Sequence, residues 1–298
     1  MAEKNITPRR ALDLAIRDAQ DKYEYGYTIE GKGTYEYYMS NEEWSEYLKR
    51  MSVQHRAQFN DADGGELVEK NGPHGLTPPK MASFGSSSRL IYELSHDTPD
   101  FNFEKLLPTR VGGTANLDGF RRTGDMDIFV ESKCGEIYDS HKKNVVSLVY
   151  QEVYEAIGAP LEYVAEEIKD DDWHRNFTFK IKGKVLDHFD IKQMICHLLG
   201  ICANIYEDPI ANTKIKFVYL LFNPHHITRF TEATKKREKQ IKAGYDATVK
   251  EIELFGDFKW LFDAVLKYQS RLKPGKPTPQ CEFSFKLVDQ TNYKEEIS

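Results

Sequence analysis

Apolar residues recur at helical spacing over residues 8–22. There Ala11, Leu12, Leu14, Ala15, Ile16 and Ala19 stand opposite charged positions, and Thr7-Pro8 supplies a start signal. The Tyr- and Gly-rich stretch 23–38 has no such period and reads as irregular or strand-like. A second helix is expected from Ser40-Asn41-Glu42-Glu43 through about residue 58, with Trp44, Tyr47, Leu48 and Met51 on one stripe. Residues 60–80, with Gly64-Gly65, Pro73, Pro78 and Pro79, predict a long loop. Ser86-Ser87-Ser88 supplies a cap for a helix over 87–95.

Two apolar-leaning strand patterns then flank Thr123-Gly124-Asp125, which predicts a β-hairpin over residues 116–133. A helix over 142–158 follows, carrying Val145, Val146, Leu148, Val149, Val153 and Ile157. Phe177-Thr178-Phe179-Lys180-Ile181 alternates as a strand should, residues 190–203 form an apolar helix, and 216–222 is a continuous buried strand. Helices over 232–254 and 258–272 and a Pro-rich tail complete the pattern. The order αα–α–ββ–α–β–α–β–αα predicts an α/β fold, a mixed sheet covered by helices on both faces.

Composition adds limits rather than direction. The 298 residues suit one large domain with appendages, and 30% charged against 40% hydrophobic residues is ordinary for a globular protein. A net charge of −6 neither advertises a polyanion ligand nor excludes one, because local basic patches decide that. Cys134, Cys196, Cys202 and Cys281 have no Cys-x-x-Cys spacing. No apolar run has the length of a membrane span, and Met1-Ala2-Glu3-Lys4 opens no signal-peptide core. The expectation is a reduced, cytoplasmic protein with no membrane partner.

The hairpin carries the chemistry. A two-residue loop at Thr123-Gly124 or at Gly124-Asp125 sets Asp118 opposite Phe129 or Glu131. Either register puts it on the face that carries Glu131 and Lys133, since strand side chains alternate. A hard dication such as Mg²⁺ takes one or two carboxylates and fills the rest of its shell with water and phosphate oxygens. Asp118 and Glu131 supply that pair. Lys133, two residues further on the same face, can polarise water or offset charge on a phosphorane-like transition state. Asp127 shares the face but lies four residues, about 13 Å, from Glu131, too far to chelate the same ion. The competing reading is an edge hairpin whose charged face meets solvent, but the apolar run Ile128-Phe129-Val130 marks a central strand.

With these residues in place the chain resembles the PD-(D/E)XK nuclease superfamily, of restriction-endonuclease-like fold. The resemblance covers roughly residues 84–224, and is greatest to an uncharacterised bacterial nuclease-like subgroup. In that subgroup a Ser-rich helix start precedes the Asp and a Gln-x-x-x-His helix follows. The corresponding segments here are Gly85-Ser86-Ser87-Ser88-Arg89-Leu90 and Gln193-Met194-Ile195-Cys196-His197. Leu117 stands where the superfamily's name has proline. The resemblance implies Mg²⁺-dependent hydrolysis of DNA phosphodiesters, with Mn²⁺ able to substitute, by a restriction or defence-type endonuclease. Asp118, Glu131 and the Ser132 main-chain carbonyl would be metal ligands and Lys133 the catalytic lysine. It also implies a core over 81–230, with an N-terminal helical and loop extension over 1–80 and a C-terminal helical extension over 231–298. A nuclease acting on RNA, or an inactive nucleic-acid-binding module of the same fold, is the alternative. A double-strand cutter would be a homodimer.

Several further residues are candidates with an ordinary structural alternative. Glu93 on the helix before the hairpin and Glu136 just beyond Lys133 could join the site or face solvent. Gln193 and His197 share a helix face and could reach substrate or brace the site. Residues 234–242 form a basic helix stretch for phosphate contacts or a solvated face. Arg121, Arg122, Lys142 and Lys143 are basic residues nearer the expected site. His225-His226 reads as a loop, and Asp61-Ala62-Asp63-Gly64-Gly65 lacks the later Glu of a calcium loop.

Overall fold

The computed structural model describes residues 6–298 except 21, 62–65, 73–74, 139, 170 and 209. Helix α1 (Pro8–Ala19) starts where the Thr7 hydroxyl accepts the Arg10 N–H, with proline in the first turn where no donor is lost. It is followed by the hairpin β1 (Tyr25–Ile29) and β2 (Gly33–Met39), then α2 (Asn41–Arg50) and α3 (Val53–Asn60). The single helix expected from 41 to 58 is two. Met51 is extended, and the Ser52 hydroxyl accepts the His55 N–H to open a new helix. The expected long loop holds a small ladder, β3 (Lys70–Gly72) with β4 (Gly75–Thr77). Asp63 and Gly64-Gly65 of the rejected calcium loop lie outside the described residues. Helix α4 (Ser87–Ser95) is capped by Ser86 as the serine cluster suggests.

The central sheet has five strands. An antiparallel meander is formed by β5 (Phe101–Pro108), β6 (Thr114–Arg122) and β7 (Met126–Lys133). A smaller sheet follows, with β8 (Asn144–Ser147), α5 (Gln151–Ile157), β9 (Leu161–Ile168), β10 (Asp171–Ile181) and β11 (Lys184–Val185), in which β10 pairs with the three other strands. Helix α6 (Ile191–Glu207) leads back to β12 (Lys214–Leu221), which lies parallel to β7. Helices α7 (Glu232–Glu253) and α8 (Lys259–Arg271), then β13 (Glu282–Val288) and α9 (Tyr293–Ile297), complete the order. Strand β13 adds parallel to β12, so the sheet order is β13-β12-β7-β6-β5, with β7 at its centre.

Two segments differ from expectation for identifiable reasons. Residues 142–158 are not one helix. Val145 and Val146 pair with Asn176 and Arg175 of β10, one pointing out and one in, so β-branched residues take the pleated solution and helix begins only at Gln151. The C-terminal segment is not a purely helical extension either. In Glu282-Phe283-Ser284-Phe285-Lys286-Leu287-Val288 the alternation builds a sheet strand, whose Phe283 stacks on Phe262 and Phe285 on Phe258. A domain boundary at 230 would therefore cut the central sheet, and strand β5, which the hydrophobic pattern did not announce, supplies its other edge.

Each sheet face has its own core. Leu198 and Leu199 of α6, Phe262 and Val265 of α8, and Phe129, Phe217 and Tyr219 of the sheet make one. Ile128, Val130, Val218 and Leu220, with Ile91 of α4, Leu12 of α1 and Tyr293 of α9, make the other. Alternation along β7 and β12 thus divides successive residues between two dry layers. Each fully buried Phe contributes roughly 1.5–3 kcal/mol relative to exposure. Among the described residues no helix is long and apolar enough to cross a membrane.

Candidate functional site

The hairpin turn selects the register. Thr123 N–H donates to Met126 O at 2.9 Å, closing a two-residue Gly124-Asp125 loop. The β6–β7 ladder runs from Arg122↔Asp127 to Gly119↔Val130, so the next position would set Asp118 opposite Glu131. At that point the ladder stops and the Asp118 carboxylate takes over, its Oδ2 accepting the Ser132 N–H at 2.6 Å. The β5–β6 ladder also skips one level, between Phe103↔Gly119 and Lys105↔Leu117, where Glu104 would face Asp118. Glu104 has φ of 55°, a backbone state that non-glycine residues seldom adopt. The two strands change face here: Phe103 packs in one core and Leu107 in the other, while Leu117 and Phe120 share a core despite odd spacing. At this break in both ladders Glu104, Asn116 and Asp118 line the same cavity as Glu131.

Glu131 is the electrostatic anchor. It is 2% exposed. Its Oε1 lies 2.7 Å from Lys133 Nζ and its Oε2 2.9 Å from His197 Nε2. The His197 contact is close but not aligned as a hydrogen bond, which leaves Glu131 Oε2 and both His197 ring nitrogens without one. Burial opposes the charged carboxylate, but Lys133 and His197 outweigh it and hold Glu131 down at about 2. Burial likewise opposes the Lys133 ammonium, yet Glu131 beside it, with Tyr219, Glu136 and Asp118 around it, pushes its pKa well above the ordinary lysine value. Lys133 is therefore a permanent cation. Asp118 is raised well above the usual carboxylate range, first by burial and then by repulsion from Glu131 and Glu104. Glu104, accepting Asn116 Nδ2 at 2.8 Å, is raised to about 7 by burial, with Glu66 and Glu131 adding repulsion.

Glu104, Asn116, Asp118, Glu131 and Lys133 line a cavity of about 550 Å³, and His197 stands outside its lining. Gln193 reaches it from α6, and Glu136 lines it while accepting the Ser87 hydroxyl at 2.7 Å and the Cys134 N–H at 3.1 Å. The N-terminal 80 residues form part of its wall, including Arg9, Arg10, Tyr37, Tyr38 and the Lys80–Glu66 ion pair at 2.8 Å. Asp13, nearly buried beside them, is raised to about 7 by burial. Two residues that line the cavity, Glu66 and Asn116, carry buried oxygens without hydrogen-bond partners, Glu66 Oε2 and Asn116 Oδ1. Repelling carboxylates crowded together are a setting in which a cation is favourable, and Asp118, Glu131 and the Ser132 carbonyl are the groups that could hold one. Among the described residues no group of three or more His, Cys, Asp and Glu side chains is arranged to hold a metal ion, and the fit rests on two carboxylates and a main-chain oxygen.

Other expected participants lie elsewhere. Glu93 lines a separate small pocket and accepts the Tyr23 hydroxyl at 3.1 Å, with Lys22 and Arg89 nearby. Arg121 and Arg122 are at the turn end of the hairpin. Arg121 bonds the carbonyls of Pro99 and Ile297, and Arg122 is paired with Asp127 at 2.7 Å and Asp208 at 3.0 Å. Asp127, fully buried by that pairing and by Asn212, serves the fold. Lys143 precedes a strand rather than a helix and pairs with Glu166. His225 and His226 form a 3₁₀ turn and pair with Asp246 and Asp289, contributed by distant segments. On the basic stretch of α7, Lys242 pairs with Glu238 and Arg237 bonds Gln240, as on a solvated face.

Glu104, Asn116, Glu66, Lys80 and Asp13 were not anticipated. Asn116, two residues before Asp118, was the one within reach of the strand pattern; Glu104 required knowing that β5 exists. No family model, no curated protein and no solved structure matches this chain.

Proposed function

We propose that this protein is a Mg²⁺-dependent nuclease of the PD-(D/E)XK type that hydrolyses DNA phosphodiesters. The observation that carries the proposal is the Glu131–Lys133 pair beside Asp118 in one cavity, at the point where β6 and β7 part. A decayed site tends to lose its lysine or a carboxylate, and all three are present. When bound, Mg²⁺ would supply the Lewis acid that polarises the phosphoryl oxygen and makes water a better nucleophile. Asp118 and Glu131 would hold it. Lys133, kept charged by Glu131, stabilises the negative charge that grows on phosphorus-bound oxygen rather than acting as a base. Water oxygen bonds to phosphorus as the bond to the leaving sugar oxygen breaks, and one water proton passes through solvent to that oxygen, giving a phosphomonoester and a hydroxyl. The unpaired thiols Cys134, Cys196, Cys202 and Cys281 are in keeping with a reducing cytoplasmic setting.

Incubating the protein with linear and circular DNA and with RNA, in Mg²⁺ or Mn²⁺, tests the proposal. DNA should be cut by the wild type and not by Lys133→Ala. Wild type and variant equally inert while DNA still binds would make the chain a binding module. Cleavage confined to RNA would reassign the substrate.

A further inference from the structure

We infer that the site admits one nucleotide of a single DNA strand and excludes intact duplex. The inference rests on the hydrolytic reading above and specifies its substrate. Glu131 is 2% exposed, so a phosphodiester meets it only inside the cavity. A volume of about 550 Å³ is that of a pocket for one small ligand, enough for a nucleotide and its phosphate. The N-terminal segment supplies one wall of the site, through α1, β2 and Lys80, facing the residues of the sheet.

That wall has the features single strands use. Tyr37 and Tyr38 have ring centroids 4.8 Å apart and are half-buried, offering an aromatic surface to a base. The Arg10 guanidinium lies 4.4 Å from the Tyr37 ring centroid, at the same wall. Ser87 and Ser88, at the start of α4, also line the cavity, and their N–H groups are among those a helix leaves free for phosphate. Nearly buried Glu66, which lines the same cavity, carries an oxygen, Oε2, without a hydrogen-bond partner and able to accept from a base amino group. A strand threaded this way needs one site per molecule, so no two-fold pair of sites is required.

The test uses the full chain with two fluorescent DNAs of equal length, a single strand and a duplex closed at both ends by loops. Binding is read by anisotropy in Ca²⁺, and cleavage separately in Mg²⁺. The single strand should bind at least tenfold tighter than the closed duplex. Tyr37→Ala should weaken it at least fivefold, and Arg10→Ala, on the exposed face of α1, should weaken it and lower the salt dependence of binding by about one charge. Equal binding of both DNAs, or variants as tight as wild type, overturns the inference. Preferential single-strand binding with no cleavage of any DNA upholds it and sinks the hydrolytic reading alone. Equal cleavage of the closed duplex does the reverse.

Discussion

Glu131 Oε2 sits 2.9 Å from His197 Nε2, with both side chains all but excluded from solvent. This contact ties the central strand β7 to helix α6, and it leaves the other Glu131 oxygen for Lys133. Substituting Glu131 by Gln removes the anion that two buried partners depend on. A buried pair broken on one side costs about 3–5 kcal/mol. Urea denaturation of Glu131→Gln should show a loss of that order; a loss under 1 kcal/mol would mean that Lys133 finds another partner.

Lys133→Ala should lower the cleavage rate on the order of 10²–10³-fold, the usual effect of removing one donor aimed at developing charge. Affinity for DNA, read without turnover, should change much less. A variant with unaltered rate would remove lysine from the chemistry.

Divalent metal should stabilise the fold, because it binds the native carboxylates and not the unfolded chain. At a hundredfold excess over its dissociation constant the gain is about 2.7 kcal/mol. Thermal melts with and without Mg²⁺ measure it, and Asp118→Asn should abolish most of the difference. An unchanged shift in that variant would place the metal elsewhere.

Asp13 predicts a dependence on pH. Its folded value of about 7 exceeds the ordinary 3.8, so between the two the native chain keeps a proton that the unfolded chain has lost. Its contribution is full below 3.8, declines as pH rises to about 7, and stays low above. Asp13→Asn should therefore gain on the wild type as pH rises, by on the order of 4 kcal/mol over the whole range. Denaturation at about pH 4 and about pH 8 compares them; a constant difference would show that Asp13 titrates normally.

Arg122→Ala should destabilise by several kcal/mol, since Asp127 has no exposure and would be left buried with Asn212 alone. Cleavage per folded molecule should be unchanged. If activity fell while melting did not, Asp127 would belong to the site after all.

The sheet centre was legible because Ile128, Phe129 and Val130 form a short apolar run, and the charged trio because hairpin register follows from a short turn. The acid side of the cavity was not. Glu104 reaches it through a left-handed backbone state where the ladder skips a level, and no periodicity encodes a residue that breaks the period. Glu93 sat at a plausible helical position, but Tyr23, 70 residues earlier in the chain, took its carboxylate. The break at Ser52 and the strand at Val145 turn on tertiary partners that local spacing does not reveal. Strand β13 was readable from its alternation, yet the prolines before it masked the pattern.

That last strand sets a timetable. Until Glu282–Val288 has been synthesised, β12 presents an open edge beside the strand that holds Glu131, and Tyr293 cannot close on Ser95. The growing chain must therefore carry an unfinished sheet through the making of two long helices. Such an edge calls for shelter from other chains, and it means that the strand carrying Glu131 and Lys133 reaches its final, flanked position only once the chain has been made through Val288.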